Sequence, residues 1–399
     1  MNGRLRGLTA LGLAGGIALI PLSAQVVALD PTRPPIPLLV PPAGSVVILL
    51  LTLAALAAVV PAAVRAARRD ALTAVFLVPG LGVILSGAVG FDPPTGIGLG
   101  VIVTGIGGSG LALAREADAA TVRLVTRAFL WSALAASAFA LVLVVTRHPA
   151  AVYAYDNGRA VGTFLNPNEL AAYSLFGLGV ALPLAVGSRG RDRLAVVCAA
   201  LLLIALAATF SRWGAFSAVC GVAVYALFAR RRRLLAVALA IALIGLGLNA
   251  LAGGLHHNPR DTEARLAAWR AGLTTFERFP LLGVGPLAYG RTYAALRPPA
   301  APGPQTPVAF DPHSMPLAFA ADAGLVAVAS LTAWYVIVLR RIIRAAGAAA
   351  GTPRLVGFGL AAALVALLVD GALNTVSLSF ALVLQVAPLA LAVLRTDAP

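Results

Sequence analysis

The sequence predicts an all-α, polytopic membrane protein. Three observations carry that expectation: the abundance of apolar residues, their gathering into runs of bilayer length, and the sidedness of the arginines. Of 399 residues, 60% are hydrophobic and 11% are charged, with a mean hydropathy of +0.93. A soluble chain carries about a quarter charged residues. At roughly 20 apolar residues per crossing helix, the supply suffices for about twelve spans. These proportions exclude a soluble enzyme, a disordered chain and a nucleic-acid-binding domain.

Runs bounded by arginine, proline or aspartate place the spans at 8–29, 45–64, 72–90, 96–114, 128–146, 169–187, 194–210, 215–229, 234–253, 315–339, 355–373 and 379–394. All 30 basic residues are arginine. Assigned to alternate sides, 20 arginines fall with the two termini and 10 on the other side. The arginine-rich side is therefore expected in the cytoplasm, with both termini. The first run is read as a retained span, because it is longer than the apolar core of a signal peptide. Cys198 and Cys220 fall inside apolar runs near opposite faces and are read as small buried hydrophobes rather than a disulfide.

The chain reads as a single membrane domain, 1–399, with one long outward loop at 254–314 that is too long for a mere connector. Within it, Thr262 to Arg278 places Leu266, Trp269, Leu273 and Phe276 on one helical face. Asp261 is expected to cap this helix and Pro280 to end it. The amphipathic helix is expected to lie flat on the outer leaflet, arginines on its other face. A proline–alanine link follows at 298–307.

The polar residues that suggest chemistry all fall on the outward side. Gly158 to Tyr173 crowds Arg159, Thr163, Asn166 and Asn168 at the mouth of the sixth span. Asn168 suits an N-cap with Glu169 at the positive helix end, whereas Arg159 is not needed for capping and is the better functional candidate. The tight turn Ser211-Arg212-Trp213-Gly214 holds an arginine at the interface, either as an anchor or for function. Arg265 and Trp269 stand one turn apart in the long loop, before a segment in which Gly283 and Gly285 suit a turn with exposed N–H groups. His313, placed by Pro312 at a span mouth, is a candidate base, since an ordinary imidazole titrates near neutrality. Asp322 and Asp370 lie in apolar spans, where carboxylates serve function or pair with arginine. Metal-ligand spacing is absent. An outward cavity with several fixed arginines suits a lipid-tethered polyanion. A diphosphate matches the planar guanidinium fork.

The motifs R-x-x-G-T-F-x-N-P-N from Arg159, S-R-x-G from Ser211, R-x-x-x-W from Arg265, P-L-L-G-V-G-P from Pro280, and a histidine opening the next span occur in this order. The ordered set resembles the O-antigen ligase and polymerase family of bacterial membrane glycosyltransferases, closely over 159–322 and elsewhere by topology. Departures from the usual pattern stand at Trp213, Ser314 and Asp322, where the family favours a small residue, asparagine and glutamate. The resemblance implies inverting, metal-independent transfer of a glycan from an undecaprenyl-diphosphate donor to a hydroxyl on a lipid-anchored or glycan acceptor, with no cofactor. The site would face the periplasm from the bacterial inner membrane. It matches Arg212 and Arg265 to diphosphate binding, Arg159 to a further cationic position and His313 to the base. Asn166, Asn168, Ser211, Trp269 and Asp322 are candidate supporting residues. Ligase and polymerase share this donor site. The alternative reading is a transporter or flippase of lipid-linked glycans or small anions.

Overall fold

The computed structural model describes residues 3–22, 42–148, 150, 158–230, 259–296, 311–374 and 377–397. The helices are α1 (Gly3–Leu19), α2 (Pro42–Ala66), α3 (Ala71–Val89), α4 (Pro93–Glu116), α5 (Ala119–Thr146), α6 (Pro167–Gly187), α7 (Arg193–Ala208), α8 (Arg212–Phe228), α9 (Pro259–Arg278), α10 (Tyr289–Leu296), α11 (Met315–Ala348), α12 (Gly351–Leu373) and α13 (Ser377–Thr396). Seven of these, α2 to α6, α11 and α12, are long and apolar enough to cross a membrane, and α1, α7, α8 and α13 hold shorter apolar stretches. The chain is a multi-pass membrane protein. The expected span at 234–253, residues 254–258 and the link at 298–307 lie outside the described residues.

Two boundaries differ from the sequence reading for visible reasons. Helix α5 begins at Ala119 rather than near 128, because Asp118 caps it by accepting Thr121 N–H at 2.8 Å. Helix α11 continues through Arg340, Arg341 and Arg344, since Ile342 and Ala346 keep a fully buried stripe while the arginines stay at least partly exposed.

The bundle is held by close packing of small residues, as expected where lipid supplies no hydrophobic contrast between helices. Gly80 and Gly87 of α3 meet Thr104 and Gly96 of α4, and Gly107 rests on the carbonyl of Phe76. Helix α12 is the central element: Gly359 faces Gly179 of α6, while Ala362 and Ala366 receive Gly221 of α8. Leu360, Leu364 and Leu367 of α12 are fully buried. By contrast, α2 turns Leu50, Leu51, Val60 and Val64 outward, as a lipid-facing helix does. Cys198 is buried, its thiol directed at Leu130 O at 3.5 Å, whereas Cys220 is only partly covered. Both are free thiols.

The two ends of the bundle differ. The turns at 67–70, 117–118, 188–192 and 349–350 gather at the arginine-rich end, together with Arg395. There Arg115 pairs with Asp70, Arg127 bonds Asp192 at 2.7 Å, and Arg395 caps the carbonyls of Ala114 and Ala117. The Thr73 N–H, and then Arg115, hold the Asp70 carboxyl below its ordinary range. The opposite end gathers the segment 158–166, the turn 209–211, α9, α10 and the segment 311–314.

A side chain at Gly107 would run into Phe76 O, whereas one at Gly98 meets nothing. Gly107→Val should therefore lower the thermal midpoint in detergent, by an overpacking cost of about 1–3 kcal/mol, and Gly98→Val should not. Equal midpoints for the two variants would contradict this packing.

Candidate functional site

At the opposite end, the segment 158–168 docks on the turn between α7 and α8. Arg159 Nε donates to Thr209 O at 2.7 Å and Ala160 N–H to Ala208 O at 2.9 Å. Asn166, not Asn168, caps α6: its Oδ1 accepts Asn168 N–H at 2.8 Å, and Pro167 occupies the first helical position. Asn168 is thereby released for another task. Its Oδ1 accepts the Ser211 hydroxyl hydrogen at 2.9 Å, while Ser211 Oγ caps α8 by accepting Gly214 N–H at 3.1 Å. Arg212 begins α8 in an exposed position beside Trp213, whose ring meets Phe216 edge to face.

A second cluster closes around the end of α12. Arg265, on α9, donates to Leu373 O at 3.2 Å and lies within electrostatic reach of Asp370. Asp370 is fully buried, with Oδ1 accepting from Asn374 Nδ2 at 3.1 Å and Oδ2 without a partner among the described residues. The next carbonyl, that of Asn374, accepts Met315 N–H at 3.2 Å, which brings the His313 segment to the same helix end as Arg265. His313 has φ 51° and a half-exposed ring. Asp311 holds it: Oδ1 accepts His313 N–H at 2.7 Å and stands 3.5 Å from Nδ1. Pro312 packs on Gly272 of α9. The indole N–H of Trp269 is buried without a partner among the described residues.

The first cluster reaches the second through α12, which packs on α8 and ends in Leu373 and Asn374. Five non-glycine residues with positive φ lie at this end among those described: Arg147, Leu165, Phe210, Leu287 and His313. Such conformations collect where the surroundings dictate a side chain's aim.

Residues 197–332 match the family model for O-antigen ligase. The similarity to O-antigen ligase covers about a third of the chain. Comparison with curated proteins gives no match. The O-antigen ligase match takes in Ser211, Arg212, Arg265, Trp269, His313 and Asp322 and leaves out Arg159, Asn166 and Asn168.

Two expectations about the long loop are corrected. Helix α9 starts at Pro259, so Asp261 lies within its first turn and does not cap it. A face of small residues, Ala267, Ala268, Ala271, Gly272 and Thr275, is buried, mainly against α10 and α11, leaving Leu266 and Leu273 exposed. Gly283 and Gly285 do form a turn, with φ 66° and 105°. Its N–H groups are not offered to a ligand: Val284 and Gly285 donate to Ala321 O and Asp322 O, and Gly283 donates to Phe279 O. Asp322 accepts the N–H groups of Leu287 and Tyr289. Asn374 joins the site without any sequence motif to mark it; its place one turn after Asp370 at a span end is the signal that points to it.

Ser211 is the side chain on which the first cluster turns. Ser211→Ala should cost about 1 kcal/mol and speed amide exchange at Gly214, since the cap and the bond to Asn168 both depend on the hydroxyl. Unchanged exchange at Gly214 would contradict that role.

Proposed function

We propose that this chain transfers a glycan from an undecaprenyl-diphosphate donor to a hydroxyl on a lipid-anchored or glycan acceptor, at the periplasmic face of the bacterial inner membrane. The observation that carries the reading is the meeting of Arg265 and the His313 segment at the end of α12, inside a segment that matches the O-antigen ligase family. Both termini would be cytoplasmic, as the arginine bias favours.

In this reading Arg265, Arg212 and Arg159 hold the diphosphate through charge-assisted hydrogen bonds. The acceptor hydroxyl oxygen attacks the anomeric carbon from the side opposite the diphosphate. The bond from that carbon to the phosphate oxygen breaks and its electron pair leaves with undecaprenyl diphosphate, so the configuration inverts. His313 takes the hydroxyl proton. Asp311 beside Nδ1 favours the tautomer that leaves Nε2 free to accept it. Charge gathering on the leaving diphosphate is met by the guanidinium groups, without a protein-bound metal. Ligase and polymerase activities share every one of these steps and differ only in the acceptor.

With the purified protein, a lipid-diphosphate-linked glycan and its acceptor, His313→Ala should lower turnover about 10²–10⁴-fold, with donor binding largely kept. Arg212→Ala should lower transfer about 10²–10³-fold as charge stabilisation is removed. Near-normal transfer by well-folded His313→Ala protein would remove histidine from the reaction.

A further inference from the structure

Helix α11 is broken at Gly324, where φ is 68° and ψ −166°. The half-helix Met315–Ala323 and the remainder are rejoined by the segment Pro280–Tyr289, which crosses the break. Leu325 N–H donates to Pro280 O at 2.8 Å and Val326 N–H to Leu281 O, while Ala321 O and Asp322 O accept Val284 and Gly285 N–H. Ser86 of α3 adds its hydroxyl to Asp322 O at 2.8 Å. The side chain of Asp322 extends the same seam, accepting Leu287 N–H at 3.1 Å on Oδ2 and Tyr289 N–H at 2.9 Å on Oδ1.

Tyr289 is fully buried and bound at both ends. Its N–H goes to Asp322, and its phenol donates to Ala268 O of α9 at 2.7 Å, in the turn that follows Arg265. A continuous path thus runs from the Asp322 carboxylate through Tyr289 to the turn of α9 that bears Arg265. In the other direction, the half-helix runs from Asp322 back to Met315 and His313. The frame closes at its far side through Arg265 to Leu373 O and Met315 N–H to Asn374 O.

We propose that Asp322 is a positioning residue for the transfer reaction, fixing α9 with Arg265 against the half-helix that begins at His313. The inference rests on the reading of Arg265 as donor-binding and His313 as base. A carboxylate suits the task because two N–H groups converge on it, one per oxygen; an amide offers one acceptor and turns a donor toward the second N–H.

The test uses the full chain in lipid nanodiscs, with Cys198 and Cys220 replaced by alanine and spin labels at Leu273→Cys on α9 and Pro316→Cys on the half-helix. Asp322→Ala should broaden the distance distribution between the labels, Asp322→Asn should broaden it less, and Asp322→Glu should restore it. In turnover assays on unlabelled protein, Asp322→Ala should lower kcat about 10²-fold, the usual effect of a misplaced catalytic group, with a smaller change in donor KM because Arg159 and Arg212 do not stand on α9. In a His313→Ala background the same substitution should cost less, since the base it positions is already gone and only the placement of Arg265 remains to be lost. An unchanged distance distribution overturns the inference, as do equal kcat losses in both backgrounds from variants of equal thermal midpoint. If His313→Ala is itself fully active, the base reading fails with it as a claim about catalysis, and the distances still decide whether Asp322 sets the frame.

Discussion

A backbone break inside an apolar bundle exposes carbonyl and N–H groups that no lipid can satisfy, and this constraint organises the structure around Gly324. Breaking α11 there frees the carbonyls before the break and the N–H groups after it. The segment Pro280–Tyr289 supplies the missing partners on both sides. Only glycine serves at Gly283 and Gly324, where positive φ coincides with backbone packed against the position a side chain would take. The segment is pinned in turn to the α3–α4 turn, where Phe91 N–H donates to Val284 O and Arg291 pairs with Asp92 at 3.1 Å. The backbone N–H and hydroxyl of Thr95 first, then Arg291, keep the Asp92 carboxyl below its ordinary range. This part of the long loop thereby becomes a fixed part of the bundle.

Under the proposed function, that fixing permits chemistry at one end. The arginine-rich end spends its charges on ion pairs and helix caps such as Arg115–Asp70 and Arg127–Asp192. At the other end, Arg212 stands at a helix start, and Arg265 on α9 meets the end of α12 that also receives the segment of His313, held in a left-handed conformation by Asp311. Arg265 gives a modest 3.2 Å bond to a carbonyl, and a diphosphate is a better acceptor than a carbonyl. Under the proposed function, donor binding would draw the guanidinium groups from such contacts toward the leaving group.

The helices are legible in the sequence because bilayer-length apolar runs leave few other folds, and α6, α8 and α12 fall where the runs place them. The cap of α6 sits two residues before the asparagine that the sequence reading favours, although Pro167 at the first helical position marks Asn166 as the cap. The ordered motifs point to the family whose model matches residues 197–332. What the sequence does not reveal is pairing at a distance: Ser86 with Asp322, Tyr289 with Ala268, Arg265 with Leu373. Periodicity describes a helix's own faces, and these contacts join elements far apart in the chain. Gly324 likewise reads as one more small residue in an apolar run until the segment that fills its break is seen.

The measurement that bears most directly on the account is the length profile of undecaprenyl-linked glycan in cells lacking this chain, complemented with the parent or with Arg212→Ala. The account predicts lipid-linked glycan accumulating without the chain and with Arg212→Ala, cleared by the parent: long chains if the acceptor is a finished anchor, single repeat units if it is a growing chain. An unchanged lipid-linked pool in all three strains would contradict it.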